Sequence, residues 1–259
     1  MSTSLPPRVS LVGAGPGDPE LLTLGALRRL ERAEVVVHDA LVSAEVLALG
    51  NPAARRIDAG KRAARNGPSQ EWINALLVSE GRAGRRVVRL KGGDPFLFGR
   101  GGEEALALSR AGVAWEIVPG VTSALAVPAY AGIPLTHRGL GSTVAIVPGH
   151  LAGDASLDWA ALNALDTVVV MMAGSQVAAI GAALVAGGRP ASCPVAVIQQ
   201  GTLEGQRVLT STLGEVGRRA EREGVATPAL LVVGEVVQLG AELGRWWTGR
   251  EDLADARTG

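Results

Sequence analysis

Cysteine is almost missing from this 259-residue chain. Cys193 stands alone, which excludes an internal disulfide and a metal site built from several thiolates, and fits a reducing cytoplasm. Net charge is missing as well: 25 Lys and Arg balance 25 Asp and Glu, so no global field points to nucleic acid or a membrane surface. Any anionic ligand must then be met by a local basic cluster. No apolar run reaches the roughly 18 residues that span a bilayer, and the opening MSTSLPPRVS lacks the regions of a signal peptide. The histidines, His38, His137 and His150, are dispersed without HxxH or HxH spacing, so no metal site is expected. GxSxG and Walker patterns are missing too, which leaves hydrolase and phosphate-transfer readings without support.

Glycine and apolar residues are plentiful. Thirty-five glycines and 47% hydrophobic content fit a packed, loop-rich chain of one large or two ordinary domains. Short apolar strands are predicted at Val9–Val12, Val35–Val37, Arg56–Asp58, Arg86–Leu90 and Trp115–Val118. Helices are predicted between them, the first carrying Leu21, Leu24, Leu27 and Leu30 on one face behind an Asp18-Pro19 start. This alternation argues for a mostly parallel sheet. A second series follows, with strands at Thr143–Val147, Thr167–Met171, Pro194–Gln199, Arg207–Thr210 and Ala229–Val233. The short Gln200–Gln206 connection predicts adjacent strands, hence a mixed sheet. The boundaries expected are a domain over 1–132, a linker over 133–142, a domain over 143–249 and a polar tail over 250–259.

The centre of the first half is Arg89–Glu104, RLKGGDPFLFGRGGEE. A glycine-rich turn after a strand is where open α/β sheets place ligands, although a connecting loop with several positive φ angles would use the same residues. Gly13-Ala14-Gly15-Pro16-Gly17 invites a dinucleotide reading, but Asp18 stands where a third small residue belongs and Pro16 has no amide to offer a pyrophosphate. An adenosine ligand without phosphate fits better. Asp39 and Lys61, each just past a strand, are either a base and acid at one sheet edge or a solvated surface pair. Lys61, Arg62, Lys91, Arg100 and Arg138 are read as loop cations, either an acidic-ligand cluster or ordinary surface charges.

Together these stretches resemble a family. Val12–Thr23, His38-Asp39, Gly60-Lys61-Arg62, Leu90–Phe96, Phe98–Glu104, Pro119–Ala124 and Ala131–Arg138 are similar, in order, to the motifs of the tetrapyrrole methylases. The Lys61 and Arg138 stretches favour the branch that methylates uroporphyrinogen III on carbon. The resemblance implies two α/β domains, class III methyltransferase-like, with a ligand cleft between them, and a homodimer. It implies S-adenosyl-L-methionine as methyl donor, S-adenosyl-L-homocysteine as by-product, and transfer to C2 and C7 to give precorrin-2, on the way to sirohaem, cobalamin or haem d1. The matching cofactor positions are Pro16, Gly92, Gly93, Asp94, Leu97, Thr122, Ser123, Met172, Gly201 and Ala229. Asp39 and Lys61 match the proton acceptor and donor; Arg62, Arg100, Glu103 and Arg138 match positions around the polycarboxylate substrate. His38, Pro148, Met171 and Ala173 depart from the family's usual residues.

Overall fold

The structure, a computed structural model, describes residues 8–60, 67–149, 157–244 and 246–247. The chain forms two compact units, Met1–Thr122 and Ser123–Gly259.

The first unit is a five-stranded sheet in the order β3-β2-β4-β1-β5, with β1 at Val9–Gly13, β2 at Val35–His38, β3 at Arg55–Asp58, β4 at Val87–Lys91 and β5 at Trp115–Val118. Each neighbouring pair is parallel, as the strand–helix alternation predicts. Alternation along β4 divides its side chains. Val88 and Leu90 join Ala26 and Leu30 of α1 (Leu24–Arg32) and Val46 of α2 (Ala44–Ala48). Val87 faces the other way, onto Ile73 and Leu77 of α3 (Gln70–Arg82) and Ala105 and Leu108 of α4 (Gly101–Arg110). The helices start where side-chain oxygens accept orphan amides: Thr23 from Ala26, Ser43 from Val46 and Ser69 from Trp72.

The leucine stripe is shorter than predicted. Asp18 and Pro19 open a 3₁₀ turn over Pro19–Leu21, and α1 begins only after Thr23. A three-residue spacing also drifts off a 3.6-residue face, so Leu30 is buried while Leu24 is 70% exposed.

β1 and β4 are adjacent, yet their connections diverge. The chain leaves β1 for β2 on one side and leaves β4 for β5 on the other. That is a topological switch point, and the loops after these strands flank a crevice at the carboxyl edge of the sheet.

The second unit opens with α5 (Ser123–Tyr130), which packs on β7 and β10. Its strands are β6 (Val144–Pro148), β7 (Thr167–Met171), β8 (Pro194–Gln199), β9 (Arg207–Thr212) and β10 (Ala229–Val233), in the order β6-β7-β10-β8-β9. β6 and β7 run parallel; the other pairs are antiparallel. The mixed sheet and the β8–β9 hairpin are thus as the sequence predicts. Val168, Val170, Val195, Val197, Leu231 and Val233 pack against Val177, Ile180 and Leu184 of α7 (Val177–Ala186) and Val216 and Ala220 of α8 (Val216–Arg222). Two short helices, α6 (Trp159–Leu162) and α9 (Leu239–Leu243), complete the α-helices of the described residues. The sequence predicts α5 within the first domain and a linker over 133–142. The structural division falls after Thr122, because the small apolar residues of α5 pack against second-unit strands.

Candidate active site

In the first unit, the loops after β1, β2, β4 and β5 gather at the switch-point edge. The loop after β1 is stitched to the loop after β4. Gly15 N donates to Gly93 O at 3.2 Å, Gly93 N donates to Gly15 O at 2.7 Å, and Ala14 N donates to Lys91 O at 2.7 Å. The amides of Ala14 and Gly15 are thus consumed by backbone carbonyls and Pro16 has none to offer, which agrees with the failed dinucleotide pattern. Contact here is close. A Cβ on Gly13 would lie 2.5 Å from Gly120 and 2.6 Å from Gly93 O, and one on Gly120 would lie 2.3 Å from Gly93 O. Three backbones meet where only glycine fits.

Asp94 ties this junction together. Its Oδ1 accepts from Phe96 N at 2.8 Å, an Asx turn, and its Oδ2 accepts from Gly120 N at 3.1 Å. Asp94 therefore locks the β4 loop to the β5 loop within the protein. Gly92 differs from its neighbours: a Cβ there would meet only Leu41, at 3.8 Å, so its backbone faces open space. Around it, Leu41, Phe96 and Phe98 are exposed large apolar side chains. Phe98 and Arg100 hold positive φ, 53° and 59°. Non-glycine residues in that region carry strain of a kind concentrated at ligand sites. This edge pairs bared backbone with apolar surface. It suits a nucleoside that carries no phosphate, the donor class the sequence implies.

Arg100 precedes α4. Its Nε and Nη2 donate to Glu103 Oε1 and Oε2 at 2.8 and 2.7 Å, and both side chains are about half exposed. The two residues predicted to meet substrate thus hold each other in a fork–fork pair at the open edge. Pro16, Leu97 and Thr122 lie on the same group of loops.

Asp39 ends up on the same edge. Asp39 N donates to Leu90 O at 3.1 Å, tying it to β4, and its Oδ1 accepts from Arg89 Nη2. Its side chain is 31% exposed, so the carboxylate is held yet reachable. Lys61 and Arg62 lie outside the described residues.

One prediction needs correction. Lys91 is not a loop cation: it is the last residue of β4 and is 2% exposed. Its Nζ donates to Glu104 Oε1 at 3.0 Å, so it cannot meet an external anion. Burial, then the charge of Arg89, pushes its ammonium below the usual lysine value, against the pull of Glu104 and Asp39. Arg89, missed as a functional candidate, lies two residues earlier on the same strand face and is equally buried. Burial works against its charge, but Asp39 and Glu104 outweigh it and hold the guanidinium above its ordinary value. The available signal was the strand itself: two cations at alternate positions of VVRLK, on one face of a strand that is buried throughout.

In the second unit, the ends of β7 and β8 meet the start of β10. Ala173 N donates to Ala229 O at 3.0 Å, and Gln200 N donates to Pro228 O at 3.1 Å. Met172, Gly201 and Ala229 are thereby collected at one sheet edge. Met172 has φ 57° and is 44% exposed. A Cβ on Gly201 would fall 2.4 Å from Val127 of α5, so glycine is required there. Ser123 starts α5. Arg138 is exposed in the turn closed by the His137–Gly141 bridge.

Comparison with known proteins identifies the family of the chain. Residues 8–217 fit the model of the tetrapyrrole (corrin/porphyrin) methylases. A siroheme synthase of Methylococcus capsulatus is 49% identical over 97% of this chain and 53% of its own length. The chain thus spans about half the length of the curated relatives it matches. A uroporphyrin-III C-methyltransferase of Thermus thermophilus, solved with S-adenyl homocysteine, is 45% identical with a TM-score of 0.78, covering 90% of this chain and 99% of that one. A cobalt precorrin-4 methyltransferase superposes with a TM-score of 0.79 at 27% identity, covering 90% of this chain and 99% of that one. This chain belongs to the tetrapyrrole methylase family.

Proposed function

We propose that the chain methylates uroporphyrinogen III at C2 and C7, giving precorrin-2, with S-adenosyl-L-methionine as donor. The observation that carries this reading is the 45% identity over nearly the whole length of the Thermus C-methyltransferase. The corrinoid-stage neighbour shares the fold at only 27% identity. The siroheme synthase relative supports a place in sirohaem synthesis. Homodimer formation and a cytoplasmic setting are part of the same proposal, and the described residues hold no helix long and apolar enough to cross a membrane.

When bound, S-adenosyl-L-methionine supplies a methyl group on a sulfonium, which leaves by in-line displacement. The protein's task is largely alignment, because an electron-rich pyrrole carbon needs little activation. In the first unit, Pro16, Gly92, Gly93, Asp94, Leu97 and Thr122 are the proposed cofactor positions, with Asp94 bracing the loops and Gly92 baring backbone. In the second, Ser123, Met172, Gly201 and Ala229 are the proposed cofactor positions. Carbon methylation leaves a proton to be removed, and the reachable carboxylate of Asp39 is the proposed acceptor. Lys61 is the proposed donor. Arg62, Arg100, Glu103 and Arg138 are proposed to receive substrate carboxylates, Arg100 by exchanging Glu103 for a substrate group.

The test is incubation of the protein with uroporphyrinogen III and labelled donor. Label in a doubly methylated tetrapyrrole supports the reading; folded protein that yields no methylated product refutes it. Supplying a corrinoid intermediate instead separates this activity from a later methylation.

A further inference from the structure

Beneath Asp39 lies a cluster of charges that the fold itself does not require. Arg89 and Glu104 are 2% and 0% exposed, and Lys91 is 2% exposed, on a sheet face packed mainly with aliphatic side chains. Buried ion pairs give little net stability over apolar residues of similar volume, so their presence here needs another reason.

The geometry is that of a brace. Glu104 Oε1 accepts from Arg89 Nε at 3.0 Å, from Lys91 Nζ at 3.0 Å and from Gln70 Nε2 at 3.4 Å. Its Oε2 is buried without a hydrogen-bond partner. A carboxylate whose donors converge on one oxygen at the expense of the other is oriented by them, not merely neutralised. Arg89 is fixed on every side: Nε on Glu104, Nη1 on the carbonyls of Val37 and Leu90 at 3.4 Å each, and Nη2 on Asp39 Oδ1. Two formal positive and two formal negative charges cancel within the cluster, so the brace carries no net buried charge.

We propose that Arg89, anchored by Glu104 with Lys91 as its counter-charge, is a positioning residue that holds Asp39 for proton transfer. The proposal rests on the reading of Asp39 as proton acceptor. Arg89 touches no open surface, so it acts through Asp39 alone. Its planar fork spans the two carboxylates, which an ammonium at the same position would not do.

The experiment is a double-mutant cycle between Arg89→Met and Asp39→Asn, read as kcat, KM for uroporphyrinogen III and affinity for S-adenosyl-L-homocysteine. Losing one hydrogen bond to a charged group corresponds to about 10–100-fold. Arg89→Met is expected to lower kcat by that factor, while KM and S-adenosyl-L-homocysteine affinity change less than about threefold. In the Asp39→Asn background the same change should add less than about threefold. Should Arg89→Met not fold, Arg89→Lys keeps the cluster's charge while breaking the fork, and should lower kcat in the same direction. Folded Arg89 variants with native kcat alongside an inactive Asp39→Asn would overturn the positioning role and leave the acceptor role standing. Equal losses from Arg89→Met in both backgrounds would overturn it too, since Arg89 would not be acting through Asp39. A fully active Asp39→Asn would overturn both readings.

Discussion

Arg29 of α1 grips Glu116 of β5 through a fork, Nε to Oε1 at 3.0 Å and Nη2 to Oε2 at 2.8 Å, while Ser10 of β1 adds a bond to Oε1 at 2.8 Å. First the Arg29 hydrogen bond, then Ser10, hold the Glu116 carboxyl below the usual carboxylate range, against burial. Burial would raise Glu80, yet hydrogen bonds from Arg85 and Arg55 leave it lowered as well. A carboxylate depressed in the folded state stabilises the fold above its unfolded pKa, about 4.3. That contribution is lost as pH falls through the folded value. Thermal stability should therefore decline below about pH 4.3. Glu116→Gln should cost about 0.5–1 kcal/mol at neutral pH and flatten the acid limb. A variant that melts like the parent at neutral pH and keeps the same acid limb contradicts this.

Gly13 and Gly102 make opposite predictions. Gly13→Ala drives a Cβ into the backbones of Gly120 and Gly93, so it should cost about 1–3 kcal/mol and weaken S-adenosyl-L-homocysteine binding. Gly102 sits in α4 with nothing within 4 Å of an added Cβ. Gly102→Ala should stabilise the protein by up to about 1 kcal/mol. Denaturant midpoints of the two variants moving in the same direction would contradict the packing described.

Arg189 binds a chain turn from inside the second unit. It is 7% exposed and donates to the carbonyls of Leu162 at 3.1 Å and Leu165 at 2.5 Å, and to Asn163 Oδ1 at 3.3 Å. Arg189→Met removes charge-assisted bonds to the end of α6, although Leu162 O keeps the amide of Leu165, and should cost about 1–2 kcal/mol. Urea unfolding measures it; a loss below about 0.5 kcal/mol, the usual scale of a surface change, contradicts the role.

Arg100 should separate substrate from cofactor. Arg100→Ala removes a guanidinium proposed to meet a carboxylate, so KM for uroporphyrinogen III should rise about 10-fold or more. S-adenosyl-L-homocysteine affinity, measured by calorimetry, should stay within about threefold. Equal loss of both would remove Arg100 from the substrate side.

What the sequence revealed follows the length scale of each signal. The strands were legible because runs such as Thr167–Met171 and Pro194–Gln199 are apolar and short, and both match the structure residue for residue. The glycine loop was legible because Gly92-Gly93-Asp94-Pro95 combines bare backbone, a carboxylate and a kink. The destination of α5 was hidden, because a helix of small apolar residues carries no sequence signal for the strands it will pack on, here β7 and β10. The Glu104 brace was hidden for a similar reason. Glu103 and Glu104 are adjacent in sequence, and only the rotation between them on α4 sends one to the open edge and the other beneath the sheet. Lys91 looked like a loop residue because the strand was drawn one residue too short.

The most direct test of the central claim is the mass of the tetrapyrrole formed from uroporphyrinogen III and S-adenosyl-L-methionine in a reducing atmosphere. The account predicts a product that carries two added methyl groups, a net gain of two CH2 after proton loss, with the label from the donor at C2 and C7. Unchanged uroporphyrinogen III with folded protein that binds S-adenosyl-L-homocysteine would contradict it.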